Sequence, residues 1–441
     1  MARASKASRR WLRALALLLC SGVLFTASGA AAQHKPSKAE QKAAASVTPS
    51  KRVADRLMKA NEFIEADKYD DALKVIDDLA SKRNLTPADT AQVHRFRGYI
   101  LQAKGKLEQV PPEFQLSLEQ GALDPLAEQQ MMYSLAGIYT QLGKFDKALE
   151  VINRWFEGAQ QPTADAYFLK AMILVQQEKF KEALEPARTA VEMADKPRES
   201  WLLLLVSVYS QLQDYAKVAD TLELLISSNP KKKQYWVQLA AVQNVLERES
   251  RALATLRLAH EGNLLTDDRE YRQLARLLFL RDLPYQCAQI IKEGIDKQVV
   301  KADAESYRLM SNCFLAAREG DAALEPLAKA GELAPDGEMY MLLGQLHLQR
   351  DRFEPALEAL HKALAKATPA QKGSVQLMIG VAQLGADRLD EAERAFQAAA
   401  NDKKVQSAAQ SYLKFLGEER MRREQRALIK QQQAANAALE G

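Results

Sequence analysis

Lys144-Phe145-Asp146-Lys147-Ala148-Leu149 is a phrase that the chain writes repeatedly. It returns as Lys179-Phe180-Lys181-Glu182-Ala183-Leu184, as Arg352-Phe353-Glu354-Pro355-Ala356-Leu357 and, upstream, as Lys68-Tyr69-Asp70-Asp71-Ala72-Leu73. Weaker copies surround Tyr215 to Val218, Arg251-Ala252-Leu253, Tyr285 to Ala288, Asp321 to Leu324 and Leu389 to Ala392. The small residue of the phrase falls at Ala72, Val110, Ala148, Ala183, Val218, Ala252, Ala288, Ala323, Ala356 and Ala392, with successive gaps of 38, 38, 35, 35, 34, 36, 35, 33 and 36. A period of that length marks a stack of supersecondary units, here ten of them.

Twelve residues before the small residue stands a second one in most units: Ala60, Gly98, Ala136, Ala171, Ala240, Gly344 and Gly380. Bulky apolar residues flank it three or four places away, as in Met132, Leu135 and Tyr139. This spacing predicts two amphipathic helices per unit, packed where a Gly or Ala lets them approach. Pro162, Pro197, Pro230, Pro335 and Pro369 recur where one unit should stop and the next begin. Three units break the pattern. Val110 with Pro111-Pro112 is expected to spoil the second helix of the second unit, Val206 and Val218 replace the small pair of the fifth, and the seventh needs a one-residue slip between Ala275 and Ala288.

The composition agrees with an all-α chain: 47% hydrophobic, 27% charged and only 7% aromatic residues among 441. The formal charge of +4 comes from the first 32 residues, where Arg3, Lys6, Arg9, Arg10 and Arg13 meet no acid; the remainder holds 56 basic against 57 acidic side chains. A body without basic excess gains little from releasing the counterions of a polynucleotide, so nucleic acid is not an expected partner.

Those first 32 residues read as a secretory signal: a basic start, an apolar run from Ala14 to Thr26, and Ala30-Ala31-Ala32 at the place a signal peptidase cuts. An uncleaved anchor helix is the alternative. Either way the rest is exported, with no membrane insertion expected once the signal is removed. Residues 33–50, rich in Lys, Ala, Ser and Gln, read as a flexible linker, residues 51–402 as the repeats, and 403–441 as a capping helix with a polar tail. The cap is expected to bury Ala408, Tyr412, Phe415 and Leu416, and the charged stretch Glu418 to Gln433 to project into solvent.

The repeated unit resembles the tetratricopeptide repeat over roughly residues 52–402. The best copies are Met132, Leu135, Ala136, Tyr139, Ala148 and Ile152; Leu202, Leu205, Tyr209, Leu222, Leu225 and Pro230; and Tyr340, Leu343, Gly344, Ala356, Leu360 and Ala363. The resemblance implies an all-α superhelical solenoid of about ten helix-turn-helix units closed by a C-terminal capping helix, because each unit leaves an apolar face that only a neighbour can cover. It also implies an interaction platform whose concave surface, lined by the first helices, holds a peptide or protein. Carried onto this chain, the groove positions are Tyr133, Gly137, Thr140 and Gln141; Phe168, Met172 and Gln176; Leu203, Ser207 and Gln211; Val237, Ala241 and Asn244; Arg269, Arg272 and Arg276; Arg308 and Asn312; Met341 and Gln345. The run of the chain is further similar to periplasmic tetratricopeptide-repeat proteins associated with TonB, ExbB and ExbD energy-transduction systems, with assembly factors for the envelope, pili or polysaccharide export as the alternative.

No catalytic constellation stands out. The chain has no Gly-rich phosphate loop, no Gly-x-Ser-x-Gly elbow and no His-Glu-x-x-His, and its histidines, His34, His94, His260, His347 and His361, fall in different units or in the linker. Neither enzyme activity, cofactor nor metal is expected. Cys287 and Cys313 are the two cysteines left after the signal. They lie symmetrically about the turn joining the seventh and eighth units, so antiparallel packing places them at one height and an oxidising compartment favours a disulfide; two buried thiols are the alternative. Arg269, Arg272 and Arg276, at i, i+3 and i+7, share a helix face with Arg308 one unit on. They read either as a patch for a partner's acidic segment or C-terminus, or as part of a solvated network with Asp267, Asp268, Glu270 and Glu305.

Overall fold

The computed structural model describes residues 47–440; the signal and nearly all of the linker expected before the repeats fall on residues 1–46, outside the described residues. Among the described residues the chain forms 21 α-helices and no strand. They follow one another as ten pairs: α1 (Lys51–Glu65) with α2 (Tyr69–Ala80), α3 (Pro87–Ala103) with α4 (Val110–Glu119), α5 (Pro125–Gln141) with α6 (Phe145–Gly158), α7 (Ala164–Gln176) with α8 (Phe180–Glu192), and α9 (Glu199–Gln211) with α10 (Tyr215–Ser228). The series continues with α11 (Lys233–Val245) and α12 (Glu249–Glu261), α13 (Asp268–Leu280) and α14 (Pro284–Asp296), α15 (Ala304–Ala316) and α16 (Gly320–Leu333), α17 (Glu338–Leu348) and α18 (Phe353–Lys366), then α19 (Pro369–Gly385) and α20 (Leu389–Ala399). A long helix, α21 (Gln406–Glu440), ends the chain. Two compact units divide it, one up to Leu224 and one from Leu225. In the first unit each of α1 to α8 packs on its successor, and in the second each of α11 to α20 does the same.

Every pair turns in the same way. One residue between its helices takes the left-handed conformation: Asp67, Gly105, Gly143, Glu178, Gln213, Glu247, Asp282, Arg318, Asp351 and Asp387, with φ between 54° and 73°. The next residue's N–H reaches back five positions, as in Lys144 N–H to Tyr139 O at 2.8 Å and Arg248 N–H to Gln243 O at 2.8 Å. That bond satisfies a carbonyl the helix end would leave open.

Packing within a pair follows the two small residues. Ala60, Ala72, Ala136, Ala148, Ala240 and Ala252 are fully buried. Sixteen positions after the first small residue comes a buried side chain of varying size. Ala60 shares a core cluster with Ile76 and Ala136 with Ile152, whereas Gly98 and Gly380 accommodate Phe114 and Phe396, whose rings a Cβ would approach to 2.3 and 2.5 Å.

Three expectations are corrected. Pro111 and Pro112 do not spoil α4: they occupy its first turn, where an N–H has no intrahelical acceptor, and a short 3-10 turn, Leu107–Gln109, leads in. The seventh pair has no slip. Cys287, twelve residues after Ala275 and fully buried, takes the position assigned to Ala288, and Ile291 follows in register. In α21 the docked face is Ala409, Tyr412, Leu413 and Leu416; Ala408 is exposed and Phe415 is 43% exposed. The charged stretch also begins by docking: Arg420 binds Asp390 and Glu393 at 2.6 and 2.7 Å, and Arg423 binds Asp387 at 2.6 Å. From Glu424 to Ala435 every residue is exposed.

Candidate functional site

The groove positions carried over from the resemblance fall on the first helices of their pairs, but many are already engaged. In the first unit Tyr133 packs its ring 6.0 Å from Trp155 and donates its hydroxyl to Asp165 O at 3.4 Å. Burial pushes its pKa up to about 12, so it stays a neutral donor. Phe168 stacks on Trp201 at 5.9 Å, and Thr140 donates to Ala136 O of its own helix at 2.7 Å. Met172 and Gly137 are half-buried. Gln141, Gln176, Leu203, Ser207 and Gln211 are exposed, and the three glutamines are the last residues of α5, α7 and α9.

In the second unit the structure gathers Asn244, Arg269, Arg272 and Arg276 into one groove of about 650 Å³. Asp268, Gln273, Leu277, Asp303 and Glu305 complete its lining. α11, α13 and α15, the first helices of the sixth to eighth pairs, carry nearly all of it. Val237 and Met341 are half-buried, while Ala241, Arg308, Asn312 and Gln345 are exposed and outside this lining.

Arg272 organises the groove. Its Nε donates to Asp268 Oδ2 at 2.7 Å, one turn back on α13, and its Nη2 to Ser306 Oγ at 2.6 Å on α15, with Asp303 Oδ1 at 3.5 Å. Asp303 is the N-cap of α15, accepting Ser306 N–H at 2.9 Å. Asp268 also takes Lys301 N–H at 3.1 Å. Burial works against charged Arg272, but the Asp268 bond and the surrounding carboxylates outweigh it and raise its pKa. The Arg272 bond holds Asp268 below the usual carboxylate range. Burial works to raise the Asp303 carboxyl, yet its bonds to Ser306 and the Arg272 charge bring it down. With its side chain 11% exposed, Arg272 is a tether between pairs. Arg276 faces Glu305 at 3.6 Å. Among the described residues Arg269 and Arg308 make no ion pair and are exposed, so they are the groove region's uncommitted cations.

Gln273, Leu277 and Asp303 escaped the sequence reading. Asp303 carried a signal, since Asp303-Ala304-Glu305-Ser306 is a helix-start sequence one period after Asp267 to Glu270, which forms a capping box. Cys287 and Cys313 are joined in the structure with Cα atoms 5.9 Å apart, tying α14 to α15. Among the described residues no group of three His, Cys, Asp or Glu side chains is placed to hold a metal, and no helix is long and apolar enough to cross a membrane. His94 and His260 point at Glu113 and Glu293 at 2.7 and 3.0 Å.

Comparison with known sequences bears on the repeat itself: residues 141–200 and 341–409 match the tetratricopeptide repeat family model. In those two segments the chain is similar to tetratricopeptide repeats. These matched segments cover pairs from both units, and the left-handed turn is common to all ten pairs. No curated protein matches the chain. Solved structures similar to it include YrrB, described as a TPR protein with an unusual peptide-binding site, 15% identical over 39% of this chain and 85% of that one with a TM-score of 0.34. MamA (41-end) from Desulfovibrio magneticus RS-1 is 17% identical over 39% of this chain and 94% of that one, TM-score 0.34. The TPR2AB domain of yeast Sti1, in complex with pHSP90, is 15% identical over 58% of this chain and 98% of that one, TM-score 0.34. Likeness at that level carries no ligand across.

Proposed function

We propose that the protein is a non-catalytic, exported interaction scaffold, and that the groove on α11, α13 and α15 holds an extended segment of a protein partner. The observation that carries this reading is the division of labour among the groove's charges. Arg272 and Arg276 are committed to carboxylates, whereas Arg269 is exposed and uncommitted in a lining that includes the side-chain amides of Asn244 and Gln273, and Arg308, on α15 outside that lining, is exposed and uncommitted too. Amides on adjacent helices suit the alternating donors and acceptors of an extended backbone. Two spare guanidinium groups suit an acidic segment or a free C-terminus in that partner.

The signal-like start argues for the periplasm, and the general similarity to TonB-associated repeat proteins makes a component of an energy-transduction complex, or its transporter client, the first partner to look for. Crosslinking in the native envelope, followed by identification of the bound proteins, tests the reading. Arg269→Glu with Arg308→Glu is expected to abolish capture at low ionic strength while leaving the melting temperature unchanged. Capture that survives both reversals removes the groove from the proposal. Arg272 is the wrong residue for this test, since its loss would disturb the fold.

A further inference from the structure

A second cavity of about 480 Å³ lies in the second unit, between the second helix of the ninth pair and the end of the tenth pair's first helix. Glu354, Leu357, Glu358 and His361 of α18 line it together with Gln383 of α19 and Arg388. Gln383 is 8% exposed, and its Oε1 is buried without a hydrogen-bond partner. A buried acceptor left unmet costs about 1–3 kcal/mol, and native structures contain few of them.

The repeat supplies an internal control. Gln243 occupies the same position in the sixth pair: Arg248 N–H bonds Gln243 O, as Arg388 N–H bonds Gln383 O. Gln243 Oε1 accepts from Thr255 Oγ1 at 2.8 Å, twelve residues on. Twelve residues after Gln383 stands Ala395, which has nothing to donate. The tenth pair therefore keeps the acceptor and lacks the donor.

The surroundings define what a donor would be. Glu354 binds Arg388 through Oε1 at 2.5 Å, and Glu358 binds Lys362 through Oε1 at 2.7 Å. Among the described residues the second oxygen of each carboxylate has no partner. We propose that this cavity takes an alkyl chain ending in a cation, an ammonium or a guanidinium. The cation's N–H groups donate to Gln383 Oε1 and to the free carboxylate oxygens of Glu354 and Glu358, and Leu357 lies along the chain, as apolar surface does under Lys and Arg stems. Either a basic side chain of a protein or a free amine presents this chemistry.

The test follows the side-chain amide resonance of Gln383 in 15N-labelled protein, assigned by its loss in Gln383→Met. The probes are blocked lysine, blocked arginine and putrescine, with blocked glutamine as the neutral control. The expected result is a saturable shift with at least one cation and none with the control, weakened at least threefold by Glu358→Gln. Tighter binding of a blocked residue than of putrescine assigns a protein side chain, and the reverse a free amine. Ala395→Ser hands Gln383 the hydroxyl that Thr255 gives Gln243, and is expected to raise the melting temperature and weaken cation binding at least tenfold. If that variant does not fold, Gln383→Met takes its place, read by calorimetry, with loss of binding expected. No saturable response to any cation, an equal response to the control, or undiminished binding in the folded variant overturns the proposal.

Discussion

The two units tether neighbouring pairs at one register position with different chemistry. Ten residues before the left-handed turn residue stands Phe168 in the fourth pair and Arg272 in the seventh; twelve before the next such residue stand their partners, Trp201 and Ser306. Phe168 and Trp201 make an apolar stack, with the Arg198 guanidinium 4.9 Å from the Trp201 ring. Arg272 and Ser306 make a hydrogen bond supported by Asp268 and Asp303. The repeat fixes where neighbours must touch and leaves open what the touch is made of. Apolar contact is indifferent to pH and salt, whereas the charged contact depends on both and leaves polar groups beside a groove. Because repeat arrays respond largely through nearest neighbours, the two tethers can be broken separately and read helix by helix in amide exchange.

The largest effect is expected from the stack. Trp201 is 4% exposed, so Trp201→Ala removes a buried indole and opens a cavity, at a cost of about 3–5 kcal/mol. Exchange should rise in α7 and α9 and stay unchanged in α13 and α15. Equal rises in all four would mean that the tethers are not local. Next comes the covalent tie, which the first unit lacks among its described residues. With Cys287 and Cys313 separated by 26 positions, Cys287→Ala with Cys313→Ala should cost about 3.5 kcal/mol by loop entropy. Thiol labelling of both cysteines without reductant, in protein recovered from its native compartment, would show the bond absent there.

Arg272→Met follows, at about 2 kcal/mol, because it removes one partner and leaves carboxylates and a buried hydroxyl facing each other, discounted for their partial exposure. The same contact predicts an acid response. Asp268 and Asp303 have folded pKa values below the ordinary 3.8. Their contribution is therefore complete above that value and is lost as pH falls through the folded pKa values. Below about pH 4, exchange in α13 and α15 should rise before that in α7 and α9; in Arg272→Met that difference should shrink. A first loss in α7 and α9 would contradict the assignment.

The fold was legible because its rules are local and repeated. A repeated phrase every 33 to 38 positions, with a small residue twelve before it in most units, locates the pairs without any long-range information. The errors arose where one residue type had two readings. Pro111 and Pro112 break a helix interior but suit a first turn, and Cys287 is as good a small residue as Ala288. The docked face of α21 was misplaced because Arg420 and Arg423, through Asp390, Glu393 and Asp387, help fix its rotation, and apolar spacing alone does not reveal that. The candidate site was only half legible. Three arginines on one face could be seen, but Arg272's commitment to Ser306, 34 residues on, could not. Nor could the orphaned Gln383 be found without knowing that Gln243 has Thr255.

The smallest expected effect tests what both units share. Glu178 and Glu247 hold the same left-handed turn, with φ of 59° and 57°, one in each unit. For an L-residue that conformation costs roughly 1–2 kcal/mol, and glycine removes the cost while adding about 0.5–1 kcal/mol of chain entropy to lose on folding. Glu178→Gly and Glu247→Gly should therefore each stabilise by about 0.5 kcal/mol. The reverse change is cleaner. Gly143 has φ of 69° with open space where a Cβ would go, so Gly143→Ala adds strain without a clash and should destabilise by about 1 kcal/mol. Denaturant midpoints of the three variants at one pH measure all of this. If Glu178→Gly and Glu247→Gly differ by more than about 1 kcal/mol, the turns are not equivalent, and the contrast between the units reaches into the backbone as well as the side chains that join the pairs.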